Sequence, residues 1–276
     1  MKKIGYLGPR GTFSHEAMKK YIGETPYISR DYPTIPDIFA AMQEGKLDEA
    51  IVPIENSIEG AVNATMDMMS QDNGLWIRAE VIIPVREHLL AKKGTDISDI
   101  KVVLSHPQPL GQCRRFLAEQ LPDAVIKASC STAAAAEEAA ASSGDTAAIG
   151  SRAAAEVYGL EILREDIQDH DSNFTRFVVL GSEDAEKTGN DKTSIIFSTE
   201  DKPGSLYRIL EIFNLWDINM TRIESRPAKN RLGRYIFFVD VLGHRDEDDL
   251  RDALTMVKRK TSFFKVLGSY PVSETE

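Results

Sequence analysis

Short apolar runs separated by longer stretches of helical spacing set the pattern of the first two thirds of the chain. The runs are Ile4 to Leu7, Glu49 to Pro53, Lys101 to Leu104, Val125 to Ala128 and Ala147 to Ile149. Each is short enough for a buried strand and is followed by a polar loop and a helix-length segment. That alternation predicts an α/β domain with largely parallel sheets. A polar stretch from Ser182 to Lys192 then breaks the pattern, and a new strand begins after it. The expected boundaries are therefore residues 1–182 and 193–276.

Beyond the seam the order is strand (Ser194 to Ser198), helix (Gly204 to Leu215), strand (Met220 to Ser225), strand (Arg234 to Leu242), helix (Glu247 to Lys260) and strand (Phe264 to Gly268). This is a ferredoxin-like βαββαβ pattern. Leu206, Ile209, Leu210 and Phe213 recur at helical spacing and predict the face laid on the sheet. Met66, Met68 and Met69 have the same kind of spacing and read as packing.

The loops that follow the early strands carry the candidate chemistry. They contain Thr12 and Ser14, then Glu55, Asn56 and Ser57, then Ser105, His106 and Gln108, then Ser131 and Thr132. In open parallel sheets ligands bind outside the carboxyl ends of strands, where helix N-termini converge on anions. Taken singly, each Ser or Thr is an ordinary helix cap, with Thr132, ahead of an alanine run, the plainest one. Asn173-Phe174-Thr175-Arg176-Phe177 adds a hydroxyl beside a permanent cation. The Arg176 guanidinium suits a carboxylate through two parallel hydrogen bonds, or else an ion pair to Asp166, Asp169 or Asp171 across a hinge. Glu55 is a candidate acid if its carboxyl is held neutral. His106 is a further candidate because histidine is the side chain suited to proton transfer near neutral pH, whereas His15 and His170 read as capping or loop residues.

Composition narrows the function class. The 276 residues carry a formal net charge of −10, so an anionic substrate needs local donors, and a general nucleic-acid or acidic-membrane binder is excluded. The first apolar run stops at Gly8-Pro9, too short for a signal peptide or membrane span, and a cytoplasmic place is expected. Cys113 and Cys130 have no metal-ligand spacing and read as core residues, so neither a disulfide scaffold nor a metal is expected.

Gly8-Pro9-Arg10-Gly11-Thr12-Phe13-Ser14, Val52-Pro53-Ile54-Glu55-Asn56-Ser57, Ser105-His106-Pro107-Gln108 with Gln112-Cys113, Ser131-Thr132-Ala133, Ala147-Ala148-Ile149 and the Asn173 to Phe177 segment together resemble prephenate dehydratase. Pro109 departs from the small residue more usual there. The resemblance implies a bilobal, periplasmic-binding-protein-like catalytic domain, with crossings near 82–85 and 167–171. It also implies conversion of prephenate to phenylpyruvate, water and carbon dioxide without a cofactor. Thr175 would be the key catalytic group, with Glu55 and Asn56. Arg176, Ser57, Thr12, Ser105, Gln108, Thr132, Asn173 and Phe177 would surround the substrate.

In the second domain, Gly204-Ser205-Leu206-Tyr207 and Glu224-Ser225-Arg226-Pro227 resemble the two motifs of an ACT domain that binds phenylalanine, with Ser205 where the family form has alanine. Asn219 would take the ammonium group. Such domains pair edge to edge, which implies a homodimer or homotetramer. Two alternatives stay open on the sequence: a non-catalytic bilobal sensor, and the same reaction on arogenate.

Overall fold

The structure, a computed structural model, describes residues 1–228 and 235–273. The first lobe contains β1 (Lys2–Leu7), α1 (Phe13–Ile22), β2 (Tyr27–Tyr32), α2 (Ile35–Gln43), β3 (Glu49–Asn56), β4 (Gly60–Ala61), α3 (Asn63–Met69) and β5 (Trp76–Pro84). The chain then crosses to a second lobe made of β6 (His88–Ala91), β7 (Val102–Ser105), α4 (Pro107–Gln112), α5 (Arg114–Gln120), β8 (Val125–Ala128), α6 (Thr132–Ala141), β9 (Thr146–Gly150), α7 (Arg152–Tyr158) and β10 (Glu161–Arg164). It returns as β11 (Phe174–Gly181), which enters the first sheet between β3 and β5. Residues 85–87 and 165–173 thus form the two connecting segments of the hinge.

The sheets are mixed, which corrects the expectation of largely parallel ones. β1 runs parallel to β2 and β3, and β7 runs parallel to β8 and β9. β11 is antiparallel to both of its neighbours, and β6 is antiparallel to β9 and β10. The double crossing is the cause, since a strand returning from the other lobe enters its sheet against the direction of the strands that left.

Helix starts follow local capping chemistry. Thr12, Ser131 and Ser151 each accept from the amide three residues on and cap α1, α6 and α7. The alanine-rich helix α6 is therefore capped by Ser131, and Thr132 stands at its first helical position. Small side chains at Ala133, Ala135, Ala136 and Ala139 let α6 lie close on its sheet.

The remaining chain forms β12 (Asp191–Ser198), α8 (Ser205–Leu215), β13 (Met220–Pro227), β14 (Tyr235–Leu242), α9 (Asp248–Lys260) and β15 (Phe263–Pro271), in an antiparallel sheet ordered β13-β14-β12-β15. Arg234, where the third strand was expected to begin, lies outside the described residues. The face of this sheet carrying Ile195, Phe197, Val239 and Val241 packs under α8 and α9. The opposite face lies on the first lobe: Ile196, Phe238, Leu267 and Tyr270 share one core with Ile54, Met66, Met69, Ile77, Val178 and Leu180. Each such side chain contributes about 1.5–3 kcal/mol by burial. β15 runs so close to β5 that a Cβ on Gly268 would stand 2.1 Å from the Ile77 carbonyl oxygen.

The polar seam therefore separates two topologies and not two cores. Its last two residues, Asp191 and Lys192, are buried in β12. Of the two cysteines, Cys113 is buried as expected and Cys130 is exposed in the loop before α6, a correction to the core reading. Among the described residues, no helix is long and apolar enough to cross a membrane.

Candidate active site

Asn56 at the end of β3 and Thr175 at the start of β11 are register partners at the edge of the first sheet. The Asn56 carbonyl oxygen Oδ1 accepts from the backbone amides of Ile58 and Glu59, both at 2.9 Å. Those two donors fix which end of the amide faces inward. Its Nδ2 must then donate, and it does so to Asn173 Oδ1 and Thr175 Oγ1, again at 2.9 Å each. The threonine oxygen is thus an acceptor in this contact. Among the described residues its own proton has no acceptor, and at 9% exposure the group is shielded but reachable.

Asn173 carries the arrangement across the hinge. It is 2% exposed, and its Nδ2 donates to Gln112 Oε1 of the second lobe at 3.2 Å. Gln112 Nε2 is buried with no hydrogen-bond partner. Gln112 was read as part of a motif and not as a site residue, so its place beside Asn173 comes from the structure. Ser57 ties the same hinge segment down, donating to the Ser172 carbonyl at 3.0 Å and accepting from the Phe174 amide at 2.9 Å.

The other face of the same two strands holds a different set of charges. Arg176 turns away from Thr175, as successive strand residues do. Its Nη2 meets Asp240 Oδ2 at 2.7 Å and Glu55 Oε2 at 3.2 Å, while Nη1 meets Glu80 Oε2 at 3.1 Å. The expected carboxylate clamp is therefore corrected: three protein carboxylates occupy this guanidinium, and none of them is Asp166, Asp169 or Asp171. Burial works against its charge, but Asp240 and the neighbouring acidic groups outweigh burial and drive its pKa up.

Glu55 is corrected on the same ground. It pairs with Arg176 and, at 3.2 Å, with Arg222 Nε of the second domain. It faces two guanidiniums and stands on the face opposite Thr175. Asp240 is fully buried, yet the guanidiniums of Arg176 and Arg222 and the Ser194 hydroxyl hold its pKa below the usual range against the opposing effect of burial. A carboxylate inside the apolar strand Phe237-Phe238-Val239-Asp240-Val241 was the sequence signal for this cluster, as was Glu80 inside β5.

Four further expected substrate contacts are engaged within the protein. The Thr12 hydroxyl donates toward Leu7 and Pro9 carbonyls and caps α1. Ser105 is buried and donates to the Ile149 carbonyl at 2.7 Å. Ser57 staples the hinge, and Phe177, 1% exposed, packs with Tyr6, Ile51 and Val81. Gln108 and Thr132 remain half-buried in the first turns of α4 and α6. His106 caps α4, and His15 accepts from the Gly11 amide.

The residues expected to bind phenylalanine fall in separate places. Gly204, with φ of 77°, takes the left-handed conformation that only glycine adopts freely, and it precedes α8 without a side-chain cap. With Ser205, Leu206, Tyr207, Tyr235 and Phe237 it lines a cavity of about 380 Å³. Ser225 pairs in register with Phe237 and so lies on this face, whereas Glu224 and Arg226 point to the other. Arg226 binds Asp67 of α3 at 3.1 Å and the Asn63 carbonyl at 2.7 Å, a correction to its effector role. Pro227 borders the cavity beside it. Asn219 lies beyond the opposite end of β13, eight residues away from Pro227 in sequence. One chain does not bring Gly204 and Asn219 together.

Two hinged α/β lobes, a hydroxyl held at their junction and a βαββαβ domain sharing the first lobe's core define a bilobal enzyme with a fused small-molecule-binding domain. Residues 4–185 match the family model for prephenate dehydratase, and residues 193–255 match that for the ACT domain. The chain belongs to the prephenate dehydratase family. It is 42% identical over 280 residues to prephenate dehydratase of Methanocaldococcus jannaschii, with 98% of each chain covered. It is 43% identical over 269 residues to a bifunctional chorismate mutase/prephenate dehydratase of Aquifex aeolicus, covering 98% of this chain and 73% of that one. A crystal structure of prephenate dehydratase with L-Phe from Arthrobacter aurescens superposes with a TM-score of 0.90 at 36% identity, covering 98% and 90% of the two chains.

Proposed function

We propose that this chain converts prephenate to phenylpyruvate, water and carbon dioxide, with Thr175 donating a hydrogen bond to the departing ring hydroxyl. One proton is taken up. The ring carboxylate leaves as carbon dioxide, its bonding electrons complete the aromatic ring, and the hydroxyl departs as water. The observation that supports this role is the direction of the Asn56 contact: because Asn56 Nδ2 donates to Thr175 Oγ1, the threonine proton faces the substrate. A preset donor acts mainly by positioning and electrostatic stabilisation, since a threonine hydroxyl is too weak an acid to surrender its proton.

With Arg176 engaged elsewhere, the substrate carboxylates fall to neutral donors. The first turns of α1 and α6 offer backbone amides and carry the positive end of each helix dipole. Gln108 and Thr132, in the first turns of α4 and α6, are the further neutral donors. The test is an ultraviolet assay for phenylpyruvate from prephenate without added metal or cofactor, run in parallel with arogenate. Turnover of arogenate alone would replace the substrate, and turnover of neither would favour a binding-only sensor.

Phenylalanine is assigned to the Gly204 cavity as a feedback effector, in keeping with the L-Phe bound to the Arthrobacter relative. A homodimer supplies what one chain lacks. β15 is covered by β5, so β13 is the open edge of the sheet, and Ile223 on it is exposed. Pairing through β13 would bring Asn219 of one copy toward Gly204 of the other. Light scattering with and without phenylalanine tests this, and a monomer in both conditions would reject it. A cytoplasmic site of action fits a chain whose two cysteines are both free.

A further inference from the structure

We infer that Asp240 and Arg222 of the ACT domain are positioning residues for Thr175 and Asn56, acting through Arg176 and Glu55. The inference rests on the dehydratase reading and adds to it a second-domain support for the reacting hydroxyl. Its basis is a pair of adjacent register partners. Thr175 pairs with Asn56 and Arg176 with Glu55. The inward partners make the 2.9 Å bond that aims the threonine proton, and the outward partners make a 3.2 Å ion pair.

Both outward partners are held by the ACT sheet. Asp240 of β14 takes Arg176 at 2.7 Å and Arg222 of β13 takes Glu55 at 3.2 Å. Each grip is one peptide unit away from a residue of the inward bond. The strand pairing also shifts register between Arg176 and Phe177, an irregularity of the kind that re-aims side chains. Thr175 is thus followed at once by a clamped guanidinium and then by the bulge, so both features that set its position lie on its C-terminal side.

The grip is stiff because Glu80 and Asp240 are buried and every member is paired, with Glu55, at 39% side-chain exposure, the one most open to solvent. Asp240 also accepts from Ser194 Oγ at 2.6 Å, and that hydroxyl is shared with Tyr270. Glu80, with no exposed side-chain surface, binds Lys192 Nζ at 2.8 Å as well as Arg176. Three cations (Arg176, Lys192, Arg222) face three carboxylates (Glu55, Glu80, Asp240). In such a network the loss of one contact leaves a buried charge uncompensated, so the members move together or not at all.

A double-mutant cycle on kcat tests the inference. In the full chain, Asp240→Asn should lower kcat about tenfold with KM within about twofold, since small misplacements of reacting groups cost that order or more. In a Thr175→Ala background the same change should have less than about a twofold effect, because the group being positioned is gone. A tenfold loss that persists without Thr175 would mean general damage and overturn the inference, as would an unchanged kcat in folded Asp240→Asn. If that variant does not fold, Arg222→Lys against Asn56→Ala decides it by the same non-additivity. An inactive wild-type chain would overturn the dehydratase reading together with this one, and the wild-type control separates that case from a failed coupling.

Discussion

The side-chain amide of Asn56 donates to the hydroxyl oxygen of Thr175 at 2.9 Å, and the amide cannot flip because its own oxygen is held by the Ile58 and Glu59 amides. The threonine is a directed donor before any ligand arrives. Thr175→Ala should therefore lower kcat by about 10²–10³ while KM changes little, as loss of a preset donor does. Thr175→Ser should retain most activity. Steady-state kinetics giving equal rates for the Ala and Ser variants would remove the hydroxyl from the mechanism.

Asn56→Asp keeps the size of the side chain and reverses its sense. A carboxylate at this position accepts where the amide donated, so the Thr175 proton would turn toward it and away from the substrate. It would also face Asn173 Oδ1, an acceptor 2.9 Å from the present Nδ2. The expected loss in kcat is about 10²-fold, not recovered at saturating prephenate. Wild-type kcat in Asn56→Asp would show that the bond does not aim the hydroxyl.

Arg176 is expected to matter first for stability. Arg176→Met would leave Glu80 and Asp240 buried with fewer partners, and such a loss typically costs about 3–5 kcal/mol. Arg176→Lys, a point charge that cannot span three carboxylates, should cost less but remain measurable by urea denaturation. A variant with unchanged midpoint and a raised KM would instead restore Arg176 as a substrate clamp.

Glu87, in the first hinge segment, gives a pH signature. Burial, reinforced by the Glu16 carboxylate, pushes its pKa from an ordinary 4.5 up to about 8, and its Oε2 has no hydrogen-bond partner. The folded chain then keeps a proton that the unfolded chain releases above 4.5. Its contribution is full below that pH and is lost as pH rises through about 8. Glu87→Gln should raise the melting temperature at pH 9 relative to wild type and leave it nearly unchanged at pH 4. Parallel melting curves for the two proteins across that range would contradict the assignment.

Cutting the chain after Ser182 should not release an independent catalytic domain. The cut would expose Ile54, Met66, Met69, Ile77, Val178 and Leu180 and strip Arg176 and Glu80 of Asp240 and Lys192. The fragment is expected to aggregate or to lack a cooperative unfolding transition by circular dichroism. A monomeric fragment with full dehydratase activity and no response to phenylalanine would reverse both this expectation and the positioning role of Asp240.

The sequence by itself determined the order of elements in the second domain and the strands β1, β3, β7, β8 and β9 of the first, while β2, β4, β5, β6 and β10 escaped it. The 2-residue period of strands and the βαββαβ order of the second domain were local signals. So was the separation of Thr175 from Arg176, because neighbours in an extended segment face opposite ways. Asn56, Thr175 and Asn173 were legible through their motifs. What meets the outer face of a strand is a non-local question, and there only the tertiary structure decided. Arg176 finds Asp240 from 64 residues downstream, Glu55 finds Arg222, and the seam at Ser182 conceals a shared core. A charged residue next to a candidate catalytic one reads equally well as a ligand clamp or as a structural ion pair. The difference depends on which domain covers it, and that is set by packing between sheets whose contact leaves no periodicity in the chain.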